Sequence, residues 1–306
     1  MGKTGARPGH AVPFDSEVIG GACFAAARGV IAVTARRAGG SYIRHMASEK
    51  NDRSAWLQGP SAPCKNVRDT LQIPWRIVLL GAPGVGKGTQ ADLLHKRLRA
   101  CHLSTGDVFR AAGGQKECDR SPAMQQALAY MRRGELVPDA TVWEMVRERG
   151  ECLLCAGGFI LDGFPRTLAQ AEALKKFMDD EGLSLSAVVN YELAEAEIVT
   201  RLGGRRTCEN CKAVYHVTER PPKVEGQCDR CRGKLFQRED DRPESIRVRL
   251  EAYNRSTAPL IEFYGALGRL VRIPANGSAE EICLKTVSEL EAKRDVELDY
   301  VEMREF

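Results

Sequence analysis

Between Trp75 and Ala100 the chain reads WRIVLLGAPGVGKGTQADLLHKRLRA, and this stretch constrains the fold more than any other. A short apolar run enters a glycine-rich turn that carries a lysine. An amphipathic segment follows, with Ala91, Leu94 and Leu98 on one face, so the pattern predicts strand, loop and helix. That order cradles phosphate. Glycines let successive backbone N–H groups point inward, the helix N-terminus adds partial positive charge, and Lys87 reaches the outer phosphates. The stretch departs from the pattern G-x-x-x-x-G-K-[ST] at one position, because Gly88 stands where a hydroxyl would ligate magnesium and Thr89 follows it. Magnesium tolerates such a loss, since it keeps several waters and binds mainly to substrate phosphates. The next candidate to hold it, through water, is Asp162 in LDGFPRT, at the end of a second apolar run.

The remaining pattern places the loop in a larger frame. GGFILDGF, SAVVNYEL and RLVRIPA read as further buried strands, with helical segments such as AQAEALKKFMDD and PESIRVRLEAYNRS between them. Strands alternating with helices predict an α/β fold: a P-loop three-layer architecture with a parallel sheet covered by helices on both faces. The 306 residues are 43% hydrophobic and 28% charged, which suits a soluble globular protein. No run of about 18 apolar residues points to a membrane span. A net charge of +4 is too small to argue for nucleic-acid binding.

Residues 206–237 break the rhythm and carry CENC and CDRC. Cys208, Cys211, Cys228 and Cys231 form C-x2-C-x16-C-x2-C, the spacing of a closed four-thiolate structural zinc site. A third C-x-x-C, Cys152 and Cys155, has no second pair nearby and reads as helix-end packing. His216 reads as a hydrogen-bonding residue and not a fifth ligand. Arg201 and Arg205 precede this insert and Arg238 and Arg249 follow it, so it could close like a lid. Arg166 stands on a turn after Asp162.

Residues 1–73 differ in composition. Up to His45 they hold six Lys/Arg and two acids, Asp15 and Glu17, and Arg28 interrupts an apolar run where a secretory signal would not. An organelle transit peptide and a disordered tail, the latter including an over-extended gene start before Met46, both fit, and the composition favours the tail. Residues 293–306 are mostly charged and are expected to fray.

Together, GAPGVGKGTQ, LSTGDVFR, GELVPD, GFILDGFPRT, GGRRTCENC, QREDDRPESIRVRL and STAPLIEFY resemble the adenylate kinase family in its long-lid, zinc-bearing form. The resemblance covers about residues 75–290. It implies a domain over 74–292 with an AMP-binding helical insert at 104–137 and a lid at 204–241. It implies reversible, Mg2+-dependent phosphoryl transfer from ATP to AMP, giving two ADP, by a cytoplasmic monomer without nucleic-acid or membrane partners; an organelle is the alternative if 1–73 is a transit peptide. By the same resemblance Gly84, Val85, Gly86, Lys87, Gly88 and Thr89 hold the ATP phosphates, and Arg201 lies along the ATP adenine. Thr105, Arg110, Val137, Gly163, Arg166 and Gln170 form the AMP site, with Val137 in the adenine pocket and Gln170 reading the adenine edge. Arg205, Arg238 and Arg249 surround the phosphates being exchanged, and Zn2+ stiffens the lid. The segment between VFRAA and GELVPD is a few residues longer than the family's usual spacing.

The reaction fits the residues. An AMP phosphate oxygen is already ionised at neutral pH, so no general base is required, and alignment and charge neutralisation of two polyanions remain to be supplied. Arginine's planar fork suits that task. Two rivals stay open: a related nucleoside monophosphate kinase with a GTP donor or a UMP/CMP acceptor, and a zinc-ribbon nucleic-acid binder fused to a P-loop. Against the second, the insert mixes Glu209, Glu219, Glu225 and Asp229 with its basic residues and holds few aromatics.

Overall fold

The computed structural model describes residues 56–57, 73–113 and 122–302, without the side chains of 122, 123 and 296–302. Nearly all of the N-terminal extension, including both readings of it, lies outside the described residues, as do residues 114–121 within the longer spacing noted above.

Five parallel strands form the central sheet: β1 (Trp75–Gly81), β2 (Cys101–Ser104), β3 (Gly158–Asp162), β4 (Ala187–Glu192) and, last in the chain, Leu270–Pro274. Their order is β2, β3, β1, β4 and Leu270–Pro274, which puts the strand of the glycine-rich loop in the middle. Burial explains the apolar runs. Val78 and Leu80 of β1 face one core cluster with Phe159, Leu161 and Val188, while Ile77 and Leu79 face the other with Ile160, Val189 and Tyr191. A strand covered on both faces cannot alternate apolar with polar residues.

Helices close both faces. The helix Lys87–Leu98 buries Ala91 and Leu94 against the second cluster, with Leu98 partly buried beside them. Ala279–Glu302 adds Ile282, Cys283 and Leu290 on the same side. The opposite face is covered by Thr105–Gly113, Asp139–Arg147, Leu168–Asp180 and Pro259–Ala266, through Phe109, Met145, Leu174 and Tyr264 among others. Ala279–Glu302 runs on through the charged C-terminal residues. Lys293 Nζ donates to Gly268 O at 2.6 Å, and the Arg294 guanidinium sits 4.3 Å from the centroid of the Trp75 ring. No helix among the described residues is long and apolar enough to cross a membrane.

β2 has no counterpart among the apolar runs of the sequence. It is an edge strand of four residues, Cys-His-Leu-Ser, and pairs only with β3. Three more strands form a separate antiparallel sheet: β5 (Arg205–Cys208), β6 (Val214–His216) and β7 (Leu235–Phe236), with β5 in the centre. In chain order, Leu270–Pro274 is therefore β8. A small cluster of Ala213, Tyr215, Leu235 and the thiols of Cys208 and Cys228 is the insert's own core.

Candidate active site and metal centre

β1 delivers the chain into the glycine-rich loop under the end of β3. Gly84 has φ of 85°, and a β-carbon there would lie 2.6 Å from Leu202 Cγ, so only glycine allows the loop to pack on the helix Glu195–Gly204. Lys87 begins the next helix and folds its ammonium back over the loop, donating to Gly81 O at 2.6 Å and Ala82 O at 2.9 Å. A β-carbon on Gly88 would lie 3.5 Å from Asp162 Oδ2. The residue that departs from the phosphate-loop pattern thus faces the carboxylate named as its substitute.

Asp162 ends β3, in register with Leu79 on one side and Ser104 on the other. Burial works to raise its pKa. The approach and charge of the His102 ring and the charge of Lys87 outweigh this, and the carboxyl stays below its usual range. The buried His102 ring has Nδ1 3.0 Å from Asp92 Oδ1 and Nε2 3.6 Å from Asp162 Oδ2.

Across the cleft, Thr105 Oγ1 donates to Gly163 O at 2.9 Å, and Arg166 Nε donates to the same carbonyl at 2.8 Å. The Arg166 amide donates to Gln170 Oε1 at 2.8 Å, and Gln170 Nε2 donates to Asp139 Oδ1 at 2.7 Å. Thr167 caps the helix Leu168–Asp180 and donates its hydroxyl to Asp139 Oδ2. Thr257 Oγ1 holds Arg166 O from the far side at 2.8 Å. Arg166 is therefore fixed through its backbone at both ends. Arg110 is drawn to Asp107, with Nη2 2.6 Å from Oδ1.

The insert meets the main body at a neck of charge. Asp241 is fully buried and takes two bonds from Arg205, through Nε at 2.7 Å and through Nη2, and a third from Arg249 Nη1 at 3.1 Å. Arg249 also contacts Asp240 Oδ2 at 3.0 Å, and Arg238 Nε donates to Thr207 Oγ1 at 2.9 Å. Arg201 Nη2 donates to Ala275 O at 3.1 Å, just beyond β8.

These cations feel one another. Burial, then Arg166, Arg249 and Arg205, push the Lys87 ammonium down to about 7 against the pull of Asp162. Burial and then Arg249 bring Arg166 to about 10, and burial followed by Arg110 and Arg205 brings Arg238 to about 9. A cleft that holds cations at this cost is arranged for a polyanion, whose charge offsets both desolvation and mutual repulsion.

In the insert, the four sulfurs of Cys208, Cys211, Cys228 and Cys231 lie within 4.8 Å of one another. Each pair is wound the same way. Cys208 N–H donates to Ala213 O and Cys228 N–H to Gly233 O, both at 2.9 Å, while Lys212 and Arg232 take φ of 59° directly after the second cysteine of each pair. The closest sulfurs, Cys208 with Cys231 and Cys211 with Cys228, are 3.4 and 3.5 Å apart. Sulfurs around one zinc at the usual Zn–S length of about 2.3 Å are ~3.8 Å apart, so the donor set and spacing fit that ion. Burial opposes ionisation of Cys228, but the Tyr215 hydroxyl and the backbone N–H groups of Cys231 and Arg230 lower its pKa, readying it as a thiolate.

Residues 79–269 match the family model described as adenylate kinase. The chain belongs to the adenylate kinase family. It is 47% identical to an adenylate kinase of Streptomyces griseus over 218 residues, which is 71% of this chain and 98% of the relative. Adenylate kinases of Carboxydothermus hydrogenoformans and Thermodesulfovibrio yellowstonii are also 47% identical, over 68% and 71% of this chain and 95% and 100% of their own lengths. Membership makes the chain a nucleotide-binding phosphotransferase.

Against the adenylate kinase pattern, the cleft brings Lys87, Asp162, Arg166, Arg205, Arg238 and Arg249 within electrostatic reach of one another. Val137 is buried in the core cluster with Val142 and Met145. Gln170, expected to read an adenine edge, is buried and has each end of its carboxamide in a bond that ties Arg166 to Asp139. His216 hydrogen-bonds across the root of the insert: Nδ1 accepts from the Thr218 and Glu219 amides and Nε2 approaches Thr200 O at 3.3 Å. Sequence reading gave no role to Asp139, Asp240, Asp241 or His102. The signal for Asp240 and Asp241 was present, as two acids flanked by arginines in REDDR. A family pattern marks residues that touch substrate more readily than the acids that aim them.

The cysteine centre carries a prediction. Chelating the metal, or changing all four cysteines to serine, lowers the melting temperature, and activity falls with the lid. About 30 residues with so small a core do not hold one shape unaided. Unchanged melting and metal content in the fourfold serine variant would remove the site.

Proposed function

We propose that the chain transfers the terminal phosphoryl group reversibly between ATP and AMP, giving two ADP, with Mg2+ as the nucleotide's counter-ion. The observation that carries this is the convergence of Lys87, Arg166, Arg205 and Arg249, from four separate parts of the chain, on one cleft where each depresses or is depressed by the others.

The glycine-rich loop and Lys87 hold the donor's phosphates, with Arg201 toward its base. Thr105, Arg110, Gly163 and Arg166 hold the acceptor, residues 104–137 being its binding segment. Arg205, Arg238 and Arg249 bring the two polyanions together and neutralise the charge that spreads over the transferred group. Mg2+ neutralises phosphate charge when it arrives with the nucleotide. The residue that would hold it is Asp162, which fits because Gly88 leaves the space before its carboxylate open. The lid at 204–241, stiffened by Zn2+ on its four cysteines, closes over both substrates and excludes water, the competing acceptor.

ADP formation measured across a panel of monophosphate acceptors and triphosphate donors tests the assignment. AMP and ATP are expected to react fastest. Arg166→Ala is expected to lower kcat/KM for AMP on the order of 10²-fold, as loss of a charged donor to a transferring phosphate does. Nucleic-acid-dependent ATP hydrolysis without AMP phosphorylation would overturn it.

A further inference from the structure

Among the described residues of the N-terminal extension, Trp56 is buried in the core and Leu57 packs against it partly buried. Trp56 is 1% exposed and packs in the cluster that contains Val137, Val142 and Met145. It lies 23 positions before residue 79, where the family match begins, so the shared pattern assigns it nothing. Its indole N–H and its backbone carbonyl are both hydrogen-bonded. The indole Nε1–H donates to Ser104 O at 3.0 Å, and the backbone carbonyl accepts from Arg149 Nε at 2.7 Å. Arg149 also donates to Met145 O at 2.9 Å.

The first of those bonds ends beside an acceptor-site residue. Ser104 O belongs to the peptide that joins Thr105, whose hydroxyl is bonded to Gly163 O. Met145 lies in the last turn of the helix Asp139–Arg147 and Arg149 just beyond it; the first residue of that helix, Asp139, holds Thr167 and Gln170 and through them Arg166. Ser104 and Arg149 sit on different elements, and Trp56 is bonded to both.

We propose that Trp56 is a positioning residue for the acceptor nucleotide, an anchor by which the extension keeps Thr105 and Arg166 in their binding arrangement. The inference rests on the assignment of Thr105 and Arg166 to the AMP site. Apparent affinity scales with the fraction of molecules whose site is arranged to bind, so losing the anchor acts on acceptor affinity first.

The test uses the full chain with Trp56→Ala and Trp56→Phe. Trp56→Ala is expected to raise KM for AMP on the order of tenfold, with KM for ATP and kcat within about twofold of the parent. Trp56→Phe keeps most of the packing and loses the N–H donor, and is expected to raise KM for AMP about threefold. This smaller variant decides the matter if Trp56→Ala does not fold. An unchanged KM for AMP in both variants overturns the inference, as does an equal rise for ATP, which marks a purely structural role. A parent chain that does not phosphorylate AMP at all removes the site assignment itself, and the inference with it.

Discussion

Replacing Lys87 by methionine is expected to lower kcat on the order of 10³-fold and, below pH 7, to raise the melting temperature by a few degrees. The loss follows from the role proposed for Lys87, a charge-assisted donor to the transferring phosphates. The gain follows from what holding that ammonium costs the free protein. Burial and the arginines Arg166, Arg249 and Arg205 bring its pKa from 10.5 to about 7. The folded value lies below the unfolded one, so between about 7 and 10.5 the folded chain binds fewer protons and its stability rises with pH. The full penalty stands below about pH 7 and is gone above 10.5, and the methionine variant's advantage follows the same window. Lys87 is half-buried by surface and keeps some solvent contact, which reduces the penalty and limits the expected shift to a few degrees. Calorimetry of both proteins at pH 6 and pH 10, with kcat measured beside it, checks both halves. A methionine variant less stable than the parent at pH 6 would show that Lys87 is held by its bonds to Gly81 and Ala82 and not against repulsion.

The other large effect is expected at a residue that touches no substrate. Asp241→Asn should destabilise the fold by about 3–5 kcal/mol, because it leaves arginine charge in a buried place without its counter-charge. Asp241 is fully buried and accepts from Arg205 and Arg249 together. An amide in its place turns an N–H2 group toward a guanidinium and keeps a single acceptor oxygen. For a domain of this size, the melting temperature should fall by roughly 10 °C. Turnover falls as well, since Arg205 and Arg249 lose the group that aims them. Arg205→Met removes one of the stranded charges, so the double variant should be less damaged than the sum of the two single ones. An Asp241→Asn protein that melts with the parent and keeps its activity would mean that Asp240 alone carries the arginines.

Much of this was legible before any coordinates, for reasons that differ by element. Three of the four strands that read as apolar runs, β1, β3 and β4, lie where both faces are covered, whereas the edge strand β8 alternates; the phosphate loop declared itself because few other sequences place glycines and lysine between a strand and a helix. The cysteine pairs were legible because a tetrahedron of thiolates demands that spacing. β2 was not, since an edge strand with buried His102 and Ser104 presents no apolar run. Asp139 was missed because its role is to hold Thr167 and Gln170, 28 and 31 residues away, and nothing local marks that partnership. Gln170 shows the converse limit: its position in the pattern was plain, but its engagement with the Arg166 backbone was visible only in space.

The pair Arg205–Asp241 also bears on how such an insert can be gained, lost or exchanged. These residues lie 36 positions apart, at the two ends of the lid, and their bidentate bond draws those ends together. Among the described residues, the insert's three strands share no ladder with the central sheet. Apart from contacts at its root such as His216 Nε2 with Thr200 O, what lies between the ends faces chiefly the demand that it return to its starting point. Loop closure grows only slowly more costly with length, so that demand is a lenient one. A shorter hairpin or another metal-bound cassette could be grafted at this junction with the phosphate cradle left intact, provided the graft restores the junction's two charges. On this view the body of the insert is free to diverge, and its point of attachment, the Arg205–Asp241 pair, is expected to persist.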